Sequence, residues 1–253
     1  SHNLEHVIWE RSIRNSSFAL KKIYFAIQSR RLRSFEQKLT QLVDSVWSIS
    51  PVDALWFKAL NDSTHFVPVS IVSKNIDFEI VPKKCFFLGA LDWLPNLEAV
   101  EWFLKDVWPR VNVLDPSIEF HLAGNNTPEH IAKLNAHNLF VHGRVPSAEA
   151  FSKNHGISII PLLSGSGVRI KLLENGAYGI PTISTRIGAE GVYDPVNSLI
   201  PITDFPVELA KRIAEFTTDQ EKAKKISAKL HEDISRRFNA SKSIEAILKA
   251  WPK

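Results

Sequence analysis

Gly165-Ser166-Gly167, Lys171 and Glu174 fall close together in the stretch PLLSGSGVRIKLLENGAYGIPTIST (161–185). An apolar run that reads as a buried strand ends at Leu163, and the glycines follow just before a helix. Glycine reaches positive φ and lets the backbone come close to a ligand. The first turn of a helix carries unpaired N–H groups and a partial positive charge, which together seat a diphosphate. Lys171 adds a full charge within one turn of that seat. Glu174 follows three residues later on an adjoining face, with the two Cβ atoms about 5–6 Å apart. A carboxylate there can accept both hydroxyls of a ribose. The residues alone also allow a tight strand–helix turn at the glycines, a helix terminator at Gly176–Gly179, and a surface Lys171–Glu174 pair worth a few tenths of a kcal/mol. A P-loop does not fit, because no Gly-Lys-Ser/Thr follows at the required spacing. A dinucleotide fingerprint does not fit either, since GxGxxG is absent and the loop follows a late strand. The local chemistry is that of a site for an anionic, nucleotide-like ligand.

Such a loop needs a parallel sheet beneath it, and the rhythm of the chain from residue 83 supplies one. CFFLGAL (85–91), IEFHLAG (118–124), LFVHGRV (139–145), ISIIPLL (157–163), PTISTRI (181–187) and SLIPITD (198–204) read as strands. Between them the pattern predicts helices from Pro95 to Val107, over 127–134 with Thr127 as N-cap, over 147–154 and over 168–177. Charged amphipathic helices follow at 206–218, 220–238 and 241–250. Strands alternating with helices imply βαβ units, a doubly wound parallel sheet, and a ligand crevice at the carboxyl ends of its strands. Upstream, Phe18 to Val46 predicts one or two helices, VWSIS (46–50) and HFVPVSI (65–71) strands, and Pro51 a helix start. Two or three strands are too few for a second full domain of the same kind.

The 253 residues are 44% hydrophobic and 23% charged, an ordinary soluble composition that leaves room for a sizeable core. The single cysteine, Cys85, excludes an internal disulfide framework; its apolar setting reads as a buried thiol in a reducing compartment. No run reaches the roughly 18 apolar residues of a spanning helix, and the polar start SHNLEHVIWER lacks a signal core. A cytoplasmic location is expected, including one peripheral to the inner face of the membrane. The net charge of +4 has a concentration at Lys21, Lys22, Arg30, Arg31 and Arg33, read either as a solvated helix face or as attraction to an anionic membrane or lipid-linked acceptor. No nucleic-acid motif accompanies it. No Asp-x-Asp pair and no ligand-type histidine spacing is present; His121 and His142 read as core or loop residues, and no metal site is expected.

GSGVRIKLLENGAYGIPTIST (165–185) resembles the donor-binding motif of family 4 glycosyltransferases, retaining enzymes of the GT-B fold. LGALDWLPNLEAVEWFLKDVWP (88–109) resembles the opening strand and helix of their C-terminal domain, and HLAGN (121–125), VHGRVPS (141–147) and IGAEGV (187–192) recur in the same order. HNLEHVIWER, SFEQKLTQLVDSVWSIS and VPVSI resemble the last third of the family's N-terminal domain. The resemblance covers almost the whole chain. It implies an acceptor-side portion at 1–80, a Rossmann-like donor domain at 81–238 and a C-terminal helix at 239–253, with most of the N-terminal domain outside the chain. It implies Glu174 on the donor ribose, Lys171 on the diphosphate, both as catalytic residues, Gly165 to Gly167 against phosphates and sugar, and Arg144 and Val145 beside the base. Two departures stand out: Ser166 occupies the place of the first acid of E-x7-E, and Ala90 that of a frequent arginine, leaving Lys171 alone or with Arg169 to carry the charge. His2 opens the HNLE stretch and reads as structural. The activity implied is retaining transfer from a nucleotide-sugar, without a cofactor, to a saccharide or lipid-linked acceptor in surface polysaccharide synthesis. A non-catalytic nucleotide- or partner-binding module is the alternative; a GT-B epimerase would need a further acid/base pair.

Overall fold

The computed structural model describes residues 1–16, 18–74 and 79–251; residues 17, 75–78 and 252–253, parts of the expected 1–80 and 239–253 spans, lie outside the described residues. The first elements are α1 (Glu5–Asn15), α2 (Ala19–Leu42), β1 (Val46–Ser48), α3 (Pro51–Lys58) and β2 (Thr64–Phe66). The Pro- and Gly-free stretch after Phe18 forms the single long helix α2. Ser50 caps α3 by accepting the Asp53 N–H at 3.2 Å, with Pro51 directly inside the helix. β1 and β2 pair in parallel, Val46 opposite Thr64. The strand expected over 65–71 ends at Phe66, because Pro68 has no N–H to give to a ladder.

The remainder runs β3 (Lys84–Leu88), α4 (Leu94–Trp102), a π-helical turn (Phe103–Val107), α5 (Trp108–Leu114), β4 (Glu119–Ala123), α6 (Glu129–Ala132), β5 (Leu139–Gly143), α7 (Ala148–Asn154), β6 (Ile157–Ile160), α8 (Ile170–Ala177), β7 (Thr182–Ser184), α9 (Arg186–Ala189), α10 (Pro206–Thr218), α11 (Gln220–Arg237) and α12 (Ala240–Ala250). The strands form one parallel sheet in the order β5-β4-β3-β6-β7. From β3 the chain winds outward to β4 and β5, then crosses back to place β6 on the other side. The carboxyl ends of β3 and β6 therefore flank the point where the winding reverses, the place where such sheets hold ligands.

Alternation along the strands separates two packed faces. Cys85, Phe87, Phe120, Leu122, Ile157, Ile159 and Ile183 are buried against Phe103, Trp108, Ile213 and Phe216 from the helices of one side. Phe86 and Ala123 face the other side, where Phe151 and Ile180 meet them. The glycine-loop helix α8 packs Leu172 and Leu173 against Ile160, Leu230 and Ile234. Cys85 is fully buried, and burial pushes its thiol far above the usual range, as its apolar run foretold.

Other boundaries also differ from the sequence pattern. The helix expected to stop at Val107 continues to Leu114, because the π turn absorbs the clash of Pro109 with the preceding turn. Thr127 does not cap α6; its hydroxyl donates to the Gly124 carbonyl at 3.1 Å. PTISTRI stops pairing at Ser184, since Thr185 caps α9 by accepting the Gly188 N–H. SLIPITD makes only an isolated bridge between Ile202 and Ser184, beside Pro201, which accepts from Ser184 but has no N–H to return.

The ring of Phe120 lies 4.6 Å from Phe103 and 5.5 Å from Trp108, centroid to centroid, in the centre of the larger core. Phe120→Ala is expected to lower stability by about 3–5 kcal/mol, read as a shifted urea midpoint at unchanged slope.

Candidate functional site

The site begins where β6 runs out. The chain turns through Gly165 (φ +132°) and Gly167 (φ +79°) before entering α8. Both angles are left-handed, and both positions are crowded. A Cβ on Gly167 would sit 2.4 Å from the His2 carbonyl, and one on Gly165 would sit 2.7 Å from the Arg169 guanidinium. A side chain at either place would collide and be strained.

Arg169 was expected either at the diphosphate or on the surface; it is buried, and it lines the cavity beside Lys171. Its side chain is 5% exposed, donates to the carbonyls of Ser166 and Ile187, and lies 3.6 Å from Glu190. One terminal nitrogen hydrogen-bonds to none of the described residues. Burial pushes its pKa down to about 10, with the Glu190 carboxylate opposing. Arg11 of α1 completes the knot: it donates to the Gly165 carbonyl at 2.6 Å and grips both Glu190 oxygens at 2.5 and 2.7 Å. Arg169 is thus a builder of the loop, tied through Glu190 to α1.

Lys171 stands at the centre of the site. Its ammonium donates to Asn96 Oδ1 at 3.1 Å and lies 4.2 Å above the Phe87 ring. Burial pushes the group down to about 7, the Arg169 charge adds to this, and Glu174 opposes it. Two cavities meet at Lys171. One of about 690 Å³ is lined also by His2, Trp93, Asn96, Ser166 and Arg169. The other, about 270 Å³, is lined also by Phe86, Gly89, Ser158, Glu174 and Tyr178. Glu174 is exposed at the rim of the smaller cavity, where partial desolvation raises its pKa against the pull of Lys171.

Ser166 is 5% exposed and faces the N-terminal segment. It accepts the Leu4 N–H at 3.1 Å and lies 3.3 Å from both oxygens of Asp53. A carboxylate thus does stand beside position 166, but α3 contributes it. Asp53 is buried, and burial raises its pKa while the Ser166 hydroxyl opposes. The sequence signals Pro51 as a helix start; the partnership of Asp53 with Ser166 across 113 residues leaves no local trace. Ala90 carries no charge; its carbonyl accepts from Asn96 at 2.8 Å, and Asn96 in turn holds Lys171. Val145 packs with Phe86 and Phe151 beside the smaller cavity, while Arg144 is exposed and lines neither cavity. Lys21, Lys22, Arg30, Arg31 and Arg33 are exposed along α2, remote from the glycine loop in sequence.

His121 and His142 were read as core or loop residues with no metal spacing linking them. The parallel register of β4 and β5 puts His121 opposite Phe140, and His142 projects from the same face two residues on. His155, at the end of α7, joins them, and one ring nitrogen from each lies within 4.8 Å of the others. Burial is the first cause lowering the pKa of all three, to about 4 for His121.

A doubly wound parallel sheet with a glycine loop and a half-buried lysine at its switch point is an α/β architecture, and solved structures match it as the GT-B type. A TarM mutant of S. aureus, solved with Fondaparinux, alpha-GlcNAc-glycerol and UDP, superposes with a TM-score of 0.73 at 13% identity, covering 88% of this chain and 47% of that one. HepE of Anabaena in complex with UDP-glucose gives 0.64 at 13%, covering 87% and 67%. Sucrose-phosphate synthase of Thermosynechococcus elongatus gives 0.65 at 14%, covering 95% and 64%. The chain belongs to the glycosyl transferases group 1 family, whose profile matches residues 82–219. An uncharacterised 44.6 kDa protein in the cps region of Klebsiella pneumoniae is 24% identical over 263 residues, covering 98% of this chain. The chain spans 66% of that relative's length. No helix among the described residues is long and apolar enough to cross a membrane.

A lysine whose folded pKa lies near 7 rather than at its ordinary 10.5 penalises the ligand-free fold when charged. The penalty is complete below pH 7 and fades as pH rises toward the ordinary value. Lys171→Met is therefore expected to raise the thermal midpoint at pH 6, and to flatten the rise in stability between pH 7 and 10 seen in the parent chain.

Proposed function

We propose that this chain carries the donor side of a glycosyltransferase that moves a sugar from a nucleotide-sugar to an acceptor with retention, as in the family 4 enzymes its motifs resemble. The observation that carries the reading is Lys171 standing between two cavities at the switch point. A diphosphate at the first turn of α8 would neutralise the ammonium that the empty site leaves desolvated. Glu174 then accepts from the ribose, Phe86 and Val145 flank the base, and the sugar enters the larger cavity toward His2 and Ser166. Charge developing on the departing diphosphate is stabilised by the α8 amides and Lys171. On this reading residues 81–238 bind the donor, and 1–80 belong to the acceptor side.

UDP or UDP-glucose in complexes of TarM and HepE supports a uridine nucleotide as the first ligand to try. The Klebsiella relative in a cps region supports a place in surface polysaccharide synthesis. One observation favours the non-catalytic alternative: position 166 carries a hydroxyl engaged with Leu4 and Asp53 instead of an acid directed at the sugar. Calorimetry with UDP, GDP and ADP, followed by a sugar-transfer assay, separates the two. One nucleotide is expected to bind, with Lys171→Ala and Glu174→Ala each weakening it by about 1–3 kcal/mol. Binding that survives both substitutions defeats the donor-site assignment; binding without transfer by the full-length enzyme selects the alternative.

The diphosphate favours protonated Lys171, so binding takes up protons above pH 7 and affinity falls by up to about tenfold per pH unit there. Lys171→Arg, charged throughout, is expected to abolish that slope.

We also propose that α2 contacts an anionic membrane surface. Its basic residues share the helix with exposed Leu20, Ile23, Phe35 and Leu42. Reversing Lys21, Lys22 and Arg30 to Glu is expected to reduce co-sedimentation with phosphatidylserine vesicles by tenfold or more, at about 1 kcal/mol per basic residue. Unchanged partitioning excludes the contact.

A further inference from the structure

The three histidines lie outside the proposed donor site, yet their partners fix them in a particular chemical state. His121 Nε2 meets Glu119 Oε2 at 3.0 Å, and Glu119 also holds Lys84 Nζ at 3.1 Å. The carboxylate accepts a hydrogen bond from Nε2–H, so His121 Nδ1 presents its lone pair. His155 Nδ1 donates to the Phe151 carbonyl at 2.6 Å, which leaves its Nε2 as the lone-pair nitrogen. His142 Nε2 lies 3.0 Å from His121 Nδ1. Three ring nitrogens therefore converge, two of them with tautomers set by an outer carboxylate and an outer backbone carbonyl. That is the pattern by which proteins orient histidine ligands of a metal.

The rings are held from behind. His121 stacks on Phe140 at 4.9 Å, and His155 stacks on Phe151 at 4.1 Å. His121 is buried, His155 half-buried and His142 exposed, so the cluster is anchored in the sheet and open to solvent at one side. Nitrogens about 2.0–2.1 Å from a tetrahedral ion are roughly 3.3 Å from one another. One pair already stands at 3.0 Å, and one ligand nitrogen from each of the three lies within 4.8 Å of the others.

We propose that His121, His142 and His155 form a binding site for a divalent transition-metal ion, with Glu119 and the Phe151 carbonyl as outer partners and a solvent-facing position for water. Three imidazoles without a thiolate suit Zn²⁺, Ni²⁺, Co²⁺ or Cu²⁺ and discriminate against Mg²⁺ and Ca²⁺. In the metal-free protein a proton on His142 Nε2 bridges to His121 Nδ1. Coordination moves that proton to His142 Nδ1. The ion would tie α7 to β4 and β5. α7 also contributes Ala148, Glu149 and Ser152 to the smaller cavity beside Glu174.

The test uses untagged protein stripped with EDTA, titrated with Zn²⁺ by calorimetry and with Co²⁺ by visible absorption. One equivalent is expected to bind, with a tetrahedral Co²⁺ band and no response to Mg²⁺. Glu119→Gln should weaken binding by about 10–100-fold, the effect of losing an outer partner. His142→Ala should weaken it further, and His130→Ala, remote from the cluster, should leave it unchanged. Absence of saturable binding, or binding indifferent to His142→Ala, overturns the proposal. Should His142→Ala lose its circular dichroism, electron paramagnetic resonance of the Cu²⁺-loaded parent decides: coupling to three nitrogens supports the site, and oxygen-only coordination overturns it.

Discussion

Arg11, Glu190 and Arg169 bring two guanidinium groups onto one carboxylate at the edge of the glycine loop. Arg169 is almost wholly buried, and a buried cation is tolerable only where carbonyls and a counter-charge surround it. The loop supplies the Ser166 carbonyl, the start of α9 supplies that of Ile187, and α1 brings Arg11 to the Gly165 carbonyl. Meeting these needs fixes the path from β6 to α8, and so the direction in which the α8 amides and Lys171 point. It also binds the N-terminal segment to the glycine loop, where the His2 carbonyl lies against Gly167. The cleft lined by His2 and Lys171 inherits its shape from an electrostatic constraint at its rim.

Lys171 illustrates the tension between stability and ligand affinity. An ammonium above Phe87, with one neutral acceptor in Asn96, lacks the solvation it would have in water. On the proposed reading, the same burial that costs the ligand-free fold is what a bound diphosphate would offset. Glu174 stays solvated at the rim, where its carboxylate can serve a polar partner without a comparable cost.

The sheet and its helices were legible because periodicity and β-branched composition mark them locally; α10 begins and ends where its charged, amphipathic pattern does. The boundaries that moved did so through proline chemistry at Pro68, Pro109 and Pro201 and through caps such as Thr185. Lys171 and Glu174 were legible because they share one helix with a glycine loop. Asp53 beside Ser166, and Arg11 on Glu190, were not: each contact joins segments more than 100 residues apart, and no periodicity records such a meeting. The histidine trio was hidden for the same reason, since its members meet only after β4 and β5 have paired.

The sequestered thiol of Cys85 has a practical consequence. With no methionine in these 253 residues, it is their sole sulfur atom, and it lies fully buried in the sheet with its ionisation suppressed. Peroxide and alkylating reagents act on exposed thiolates and thioethers, and the folded chain offers them neither. One cysteine introduced at the surface would thus be a unique attachment point for a fluorophore or spin label, with the native residue left in place.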